Sequence, residues 1–147
     1  HLCAGQDDDC IETALQNGDS VKLTSDRGLH INLTDVRAPT LITLDCDGHK
    51  IGTNAYSNQA FWFDNSANIK IKNCVLGGRF QRVYFVNNLS TNIQFENNDL
   101  CGANPPIDND IECGETLDFV QTVLGINNKC RNNFSDSCTV DFSCTPC

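Results

Sequence analysis

Two segments, Asn68-Ile-Lys-Ile-Lys-Asn73 and Asn92-Ile-Gln-Phe-Glu-Asn97, spell the same pattern of Asn, apolar, polar, apolar, polar, Asn at an offset of 24 residues. Apolar residues recurring every second position mark a strand with one buried face. A repeat of this length built on such a strand cannot bury its own apolar side and must stack on its neighbours. A weaker copy lies upstream at Leu41-Ile-Thr-Leu-Asp-Cys-Asp-Gly48 and another downstream at Val123-Leu-Gly-Ile-Asn-Asn-Lys-Cys130. A cysteine recurs with the copies: Cys46, Cys74, Cys101 and Cys130 are spaced 28, 27 and 29 residues apart.

The strand chemistry narrows the kind of repeat. The regular leucine lattice of a leucine-rich repeat is absent, and the region lacks the 3.6-residue period of helical repeats. Alternating strands at Ala60–Asp64, Asn68–Asn73, Val83–Val86 and Asn92–Asn97, separated by Asn, Asp and Gly corners, fit parallel strands stacked about 4.8 Å apart. Asparagine suits a repeated corner because it tolerates left-handed backbone and can hydrogen-bond its neighbour in the next copy. Shorter alternating runs at Val21–Leu23, His30–Leu33 and Leu41–Leu44 extend the series towards the amino terminus. Ahead of them, Ile11, Ala14 and Leu15 fall at helical spacing, with Asn17-Gly18 as a stop, and predict a short capping helix.

The cysteines indicate the compartment. Ten are present with no methionine in 147 residues: Cys3, Cys10, Cys46, Cys74, Cys101, Cys113, Cys130, Cys138, Cys144 and Cys147. Zinc sites need paired short spacings, and only Cys144-Thr-Pro-Cys147 has one. An even count without a metal pattern reads as disulfides formed in an oxidising, extracellular setting. Three sequons, Asn32-Leu-Thr34, Asn88-Leu-Ser90 and Asn133-Phe-Ser135, point the same way and predict N-glycans on Asn32, Asn88 and Asn133. A start at His1 fits a mature product whose leader has been removed. The net charge of −9, with ten basic residues spread singly, gives no clustered face for nucleic acid. No apolar run approaches the length of a membrane span.

Asn68–Gly77 and Asn92–Leu100 resemble coils of the pectin-lyase-like right-handed β-helix superfamily. Leu44-Asp-Cys-Asp-Gly-His-Lys-Ile51 resembles that family's entry coil, and Asp9–Leu23 is similar to its capping helix and first strand. The resemblance implies an all-β fold: a short right-handed parallel β-helix (solenoid) with a small N-terminal capping helix and a disulfide-stapled C-terminal tail. Residues 1–147 form a single domain, with coils over about 9–100, extending towards 130, and a disulfide-rich loop and tail over 101–147. Cys46 and Cys74, on neighbouring coils, are expected to pair, and Cys101–Cys113 to close the loop around Pro105-Pro106.

The chemistry of family enzymes is not reproduced. Polysaccharide cleavage there uses several aspartates on neighbouring coils with a His and an Arg-x-Lys element, or Ca²⁺ with an Arg base. Asp45 and Asp47, near His49 and Lys50, come closest, but no second aspartate pair or Arg-x-Lys element follows. Asp7-Asp8-Asp9 and the Asp108, Asp110, Glu112 set read as solvated charge rather than Ca²⁺ ligands. His1 with His30 or His49 resembles the copper brace of lytic polysaccharide monooxygenases, a sandwich family at odds with the repeats. No catalytic residue, cofactor or metal is therefore expected. The expected role is a secreted structural glycoprotein that self-associates end to end into a filament or surface coat, with Val123 in the terminal coil. The alternatives are a module that binds carbohydrate through outward aromatics, with Phe61, Phe63 and Phe85 inward and Trp62 and Tyr84 outside and Tyr56 a further candidate, or a polysaccharide-cleaving enzyme.

Overall fold

The computed structural model describes residues 1–53, 56–87, 89–102, 109–114, 122–131 and 139–147, with backbone alone at 56–58, 79, 81, 109, 110, 112, 122, 139 and 140. The chain opens with β1 (Leu2–Cys3) and a single helix among the described residues, α1 (Asp8–Gln16). The Asp7 carboxylate caps α1 by accepting a hydrogen bond from the Cys10 N–H at 3.0 Å, and Asp8 and Asp9 occupy the first turn. Carboxylates are favoured at this end because the unpaired N–H groups make it positive. The acidic triplet thus serves the helix. Ile11, Ala14 and Leu15 are buried, and the helix stops at Asn17 and Gly18, whose φ is +81°.

The strands are β2 (Val21–Leu23), β3 (Ile31–Thr34), β4 (Arg37–Asp45), β5 (Lys50–Ile51), β6 (Tyr56–Asp64), β7 (Ala67–Lys72), β8 (Val75–Leu76), β9 (Arg79–Val86), β10 (Thr91–Glu96), β11 (Asn109–Cys113), β12 (Thr122–Cys130) and β13 (Thr139–Pro146). They form a seven-stranded sheet ordered β1-β2-β4-β7-β10-β12-β13, a four-stranded sheet ordered β11-β9-β6-β3, and the pair β5-β8. Every pairing is parallel. From β4 the chain visits the long sheet, the short sheet and the four-stranded sheet, then repeats the cycle through β7, β8 and β9. After β10, single bridges at Asp99 to Val75 and Lys129 extend the short sheet before β11 and β12.

The repeated words pair position by position: Ile69 with Ile93, Lys70 with Gln94, Ile71 with Phe95 and Lys72 with Glu96. One interior row runs Val21, Leu44, Ile71, Phe95, Gly125 and Phe142 across the long sheet. Leu44, Ile71 and Phe95 are fully buried, each contributing about 1.5–3 kcal/mol of apolar burial. A Cβ on Gly125 would collide with the Phe142 ring, so the missing side chain leaves room for Phe142 to approach Phe95, at 6.0 Å between centroids. Aromatic contact continues inward, with Phe95 to Tyr84 at 3.6 Å and Tyr84 to Phe61 at 5.4 Å.

The corners have their own chemistry. Asn65, Asn68, Asn73, Asn92, Asn97 and Asn127 all take positive φ, as do Asp35 and Asp47. Just past three of these residues lies an interior column of Cys74, Asn98 and Asn128. The Cys74 N–H donates to Asn98 Oδ1, and the Asn98 N–H donates to Asn128 Oδ1, both at 3.0 Å. Each amide also donates to a buried carbonyl, Asn98 Nδ2 to Ile71 at 3.0 Å and Asn128 Nδ2 to Phe95 at 3.1 Å. Cys46 extends the column through its disulfide to Cys74, with a Cα–Cα distance of 4.8 Å. A second column uses hydroxyls: the Val36 N–H donates to Ser66 Oγ and the Ser66 N–H to Ser90 Oγ, both at 3.2 Å.

Two sequence expectations are corrected. Cys101 pairs with Cys147, not Cys113, and Cys130 pairs with Cys144, because the chain end returns beside β12 as another parallel strand. Cys101 and Cys130 do not continue the interior column, in which Asn98 and Asn128 hold the positions beyond Cys74. Val123 is not terminal, since β12 lies between β10 and β13. Cys3 pairs with Cys10, and Cys113 is disulfide-bonded; Cys138 and residues 103–108 of the Pro-Pro loop lie outside the described residues.

The amide column gives a direct test. Asn98→Leu strands the Cys74 N–H and the Ile71 carbonyl in the core, and unfolding in denaturant should show a loss of about 2–4 kcal/mol. Exposed Asn97, already at a φ of 55°, should accept glycine with little change.

Candidate functional site

The two ends of the long sheet differ. At the amino-terminal end, β1 is only two residues long and is stapled to α1 through Cys3–Cys10. Arg27, 6% exposed, ties this end together. Its guanidinium donates to the Gly5 carbonyl at 3.0 Å, to the His30 carbonyl at 3.0 and 2.8 Å, and to the Asp8 carboxylate. At the other end, β13 offers eight residues of strand, paired to β12 on one side. Among the described residues no strand pairs with its outer side. Asp141, Ser143, Thr145 and Pro146 are exposed there. The end of the disulfide-stapled tail is thus a strand, and the alternation of Val140, Phe142 and Cys144 was the signal for it.

The outer face of the four-stranded sheet holds an aromatic pair. Asn32 of β3 is the register partner of Trp62 in β6, which is the partner of Phe85 in β9. Trp62 and Phe85 are half-buried with ring centroids 4.9 Å apart, and the Arg82 guanidinium lies 4.2 Å from the Phe85 ring centre. The expectation that Tyr84 faces outward and Phe85 inward is wrong. Ala60 and Phe61 are both buried, as are their neighbours Val83 and Tyr84, so each strand turns two consecutive residues inward. This double step shifts the alternation by one and turns Phe85 out beside Trp62. The Tyr56 side chain lies outside the described residues.

Of the predicted glycosylation sites, Asn32 is exposed on β3, the outermost strand of its sheet, and Thr34 of the same sequon is also exposed. Asn88 and Asn133 lie outside the described residues.

The nearest approach to an acid/base set is divided among separate partners. Asp45 meets Lys72 at 3.2 Å, Asp47 meets Lys22 at 3.0 Å, and His49 faces Asp26 at 3.3 Å. Asp45–Lys72 and Lys70–Glu96, the latter at 2.8 Å, place opposite charges on neighbouring strands of the long sheet. The His1 amino group donates to the Ser20 carbonyl at 2.7 Å, and its ring lies 3.4 Å from Asp19. Among the described residues, no three His, Cys, Asp or Glu side chains are grouped to hold a metal, and no helix is long and apolar enough to cross a membrane. Asp108 and the side chains of Asp110 and Glu112 lie outside the described residues.

Among the described residues, the Asp26 and Asp45 carboxyls sit below the ordinary value of 3.8. For Asp26 the main cause is the Lys50 backbone N–H, reinforced by His49. For Asp45, burial pushes upward, and hydrogen bonds from Asn73 and the Asp47 backbone, with the Lys72 ammonium, outweigh it. A carboxyl depressed in the folded state stabilises the fold above its unfolded value and loses that contribution as pH falls through the folded value. Denaturant titrations at about pH 5 and pH 2.5 should therefore show a smaller acid loss for Asp45→Asn than for the parent.

Compared with known proteins, the chain matches no family model, no curated protein and no solved structure.

Proposed function

We propose that the chain is a secreted, N-glycosylated structural module, a short right-handed parallel β-helix that associates through the carboxy-terminal end of its long sheet. The cyclic visits to three parallel sheets and the in-register 24-residue repeat support the coiled reading. The disulfides Cys3–Cys10, Cys46–Cys74, Cys101–Cys147 and Cys130–Cys144 are compatible with an extracellular setting.

One observation carries the assembly reading: β13, an outer strand of eight residues, at the opposite end from a strand of two. Such an edge is a template for pairing with another chain. A filament needs two complementary ends, and the amino-terminal end is stapled and held by Arg27. Like ends meeting across a two-fold axis are therefore the favoured contact, and they close on themselves. A specific observation favours carbohydrate contact as a second reading: the Trp62–Phe85 pair beside Arg82, an apolar surface with a polar edge.

Sedimentation of the purified protein over a range of concentrations tests the assembly. The parent should associate reversibly, and Ser143→Lys with Thr145→Lys should keep it monomeric, because lysines protect an exposed edge. A parent that stays monomeric throughout would remove this reading.

A further inference from the structure

We propose that the glycan carried by Asn32 lies across the Trp62–Phe85 pair, so that the carbohydrate on this face is the chain's own. The proposal rests on the glycosylation reading above and adds to it where the sugar goes. Asn32, Trp62 and Phe85 are successive register partners on β3, β6 and β9. Their strand neighbours Ile31, Leu33, Phe61, Phe63, Tyr84 and Val86 are all buried, so the three intervening side chains share the outer face. Neighbouring strands are about 4.8 Å apart, which puts Trp62 one strand spacing and Phe85 two from the attachment point.

That direction is the one open along the sheet from Asn32, since no strand lies on the other side of β3 among the described residues. The first sugars of an N-glycan are N-acetylglucosamines, whose C–H faces and methyl groups pack on aromatic rings while their hydroxyls need polar partners. Trp62 and Phe85 supply the apolar surface. The Arg82 guanidinium, 4.2 Å from the Phe85 ring centre, marks the polar edge of that surface. Trp62 and Phe85 are only half-buried, so part of their surface still faces outward, and a covalently tethered sugar covers that part without the entropy cost of capturing a free ligand.

Trp62 is the only tryptophan in the chain, so its fluorescence reports this surface alone. The experiment uses the full chain secreted from glycosylating cells, with occupancy at Asn32 read by peptide mapping. Acrylamide quenching is measured before and after enzymatic release of the glycan from the folded protein, and on Asn32→Gln. With Asn32 occupied, emission should lie to the blue and quenching should be weak. Both should revert on release and in Asn32→Gln, with the circular dichroism unchanged. An occupied Asn32 with quenching unaltered by release overturns the placement and leaves glycosylation standing. An unoccupied Asn32 overturns both the placement and the glycosylation reading at this sequon. The assembly reading has its own readout in sedimentation.

Discussion

A chain that turns repeatedly while staying packed against its neighbours must find partners for backbone N–H and C=O groups at each turn, where no sheet ladder reaches. Left unpaired in the interior, each such group costs about 1–3 kcal/mol. Here two side-chain columns meet the need. Asn98 and Asn128 each accept from the backbone one pass away and donate to a carbonyl of the adjoining strand. Ser66 and Ser90 do the same work at another corner with hydroxyls, and Ser66 Oγ donates onward to the Leu33 carbonyl at 2.9 Å. The columns fix how successive passes stack, and the register of the long sheet follows from them.

The disulfides belong to the same scheme. Cys46–Cys74 replaces a hydrogen-bonded step of the amide column by a covalent one, closing a loop with a sequence separation of 28. Restricting the unfolded chain by such a loop is worth about 3–4 kcal/mol in the chain-entropy account. Cys101–Cys147 and Cys130–Cys144 hold the final strand to the passes before it, which matters because an outer strand has only one neighbour to keep it in place. At the opposite end the buried Arg27 and the capped helix take over that role. Among the described residues, one end of the long sheet is latched and the other is edged by a strand.

Much of the architecture was legible in the sequence because the repeated word carries both phase and register. Asn68–Asn73 and Asn92–Asn97 pair as their spelling indicates, and the asparagines that flank them take the left-handed backbone their type favours. The helix was legible from Ile11, Ala14 and Leu15, though not its earlier start at Asp8, which depends on the Asp7 cap. What the pattern hid has physical causes. Strict alternation fails where Val83 and Tyr84 both turn inward, so the outward aromatic was assigned to the wrong residue. The cysteine spacing did not show that asparagine can occupy such a corner equally well by hydrogen bonding, as Asn98 and Asn128 do. The doubled asparagines Asn97-Asn98 and Asn127-Asn128 were the overlooked sign: the first turns the chain and the second faces inward.

The stacking of passes through the buried amide column is the claim on which the rest stands. Nuclear magnetic resonance on isotope-labelled protein can detect it through scalar coupling across a hydrogen bond. Coupling is expected from the Cys74 amide nitrogen to the side-chain carbonyl carbon of Asn98, and from the Asn98 amide nitrogen to that of Asn128, with both amide protons exchanging only on global unfolding. Absence of both couplings together with rapid exchange at Cys74 and Asn98 would contradict the column and the register built on it.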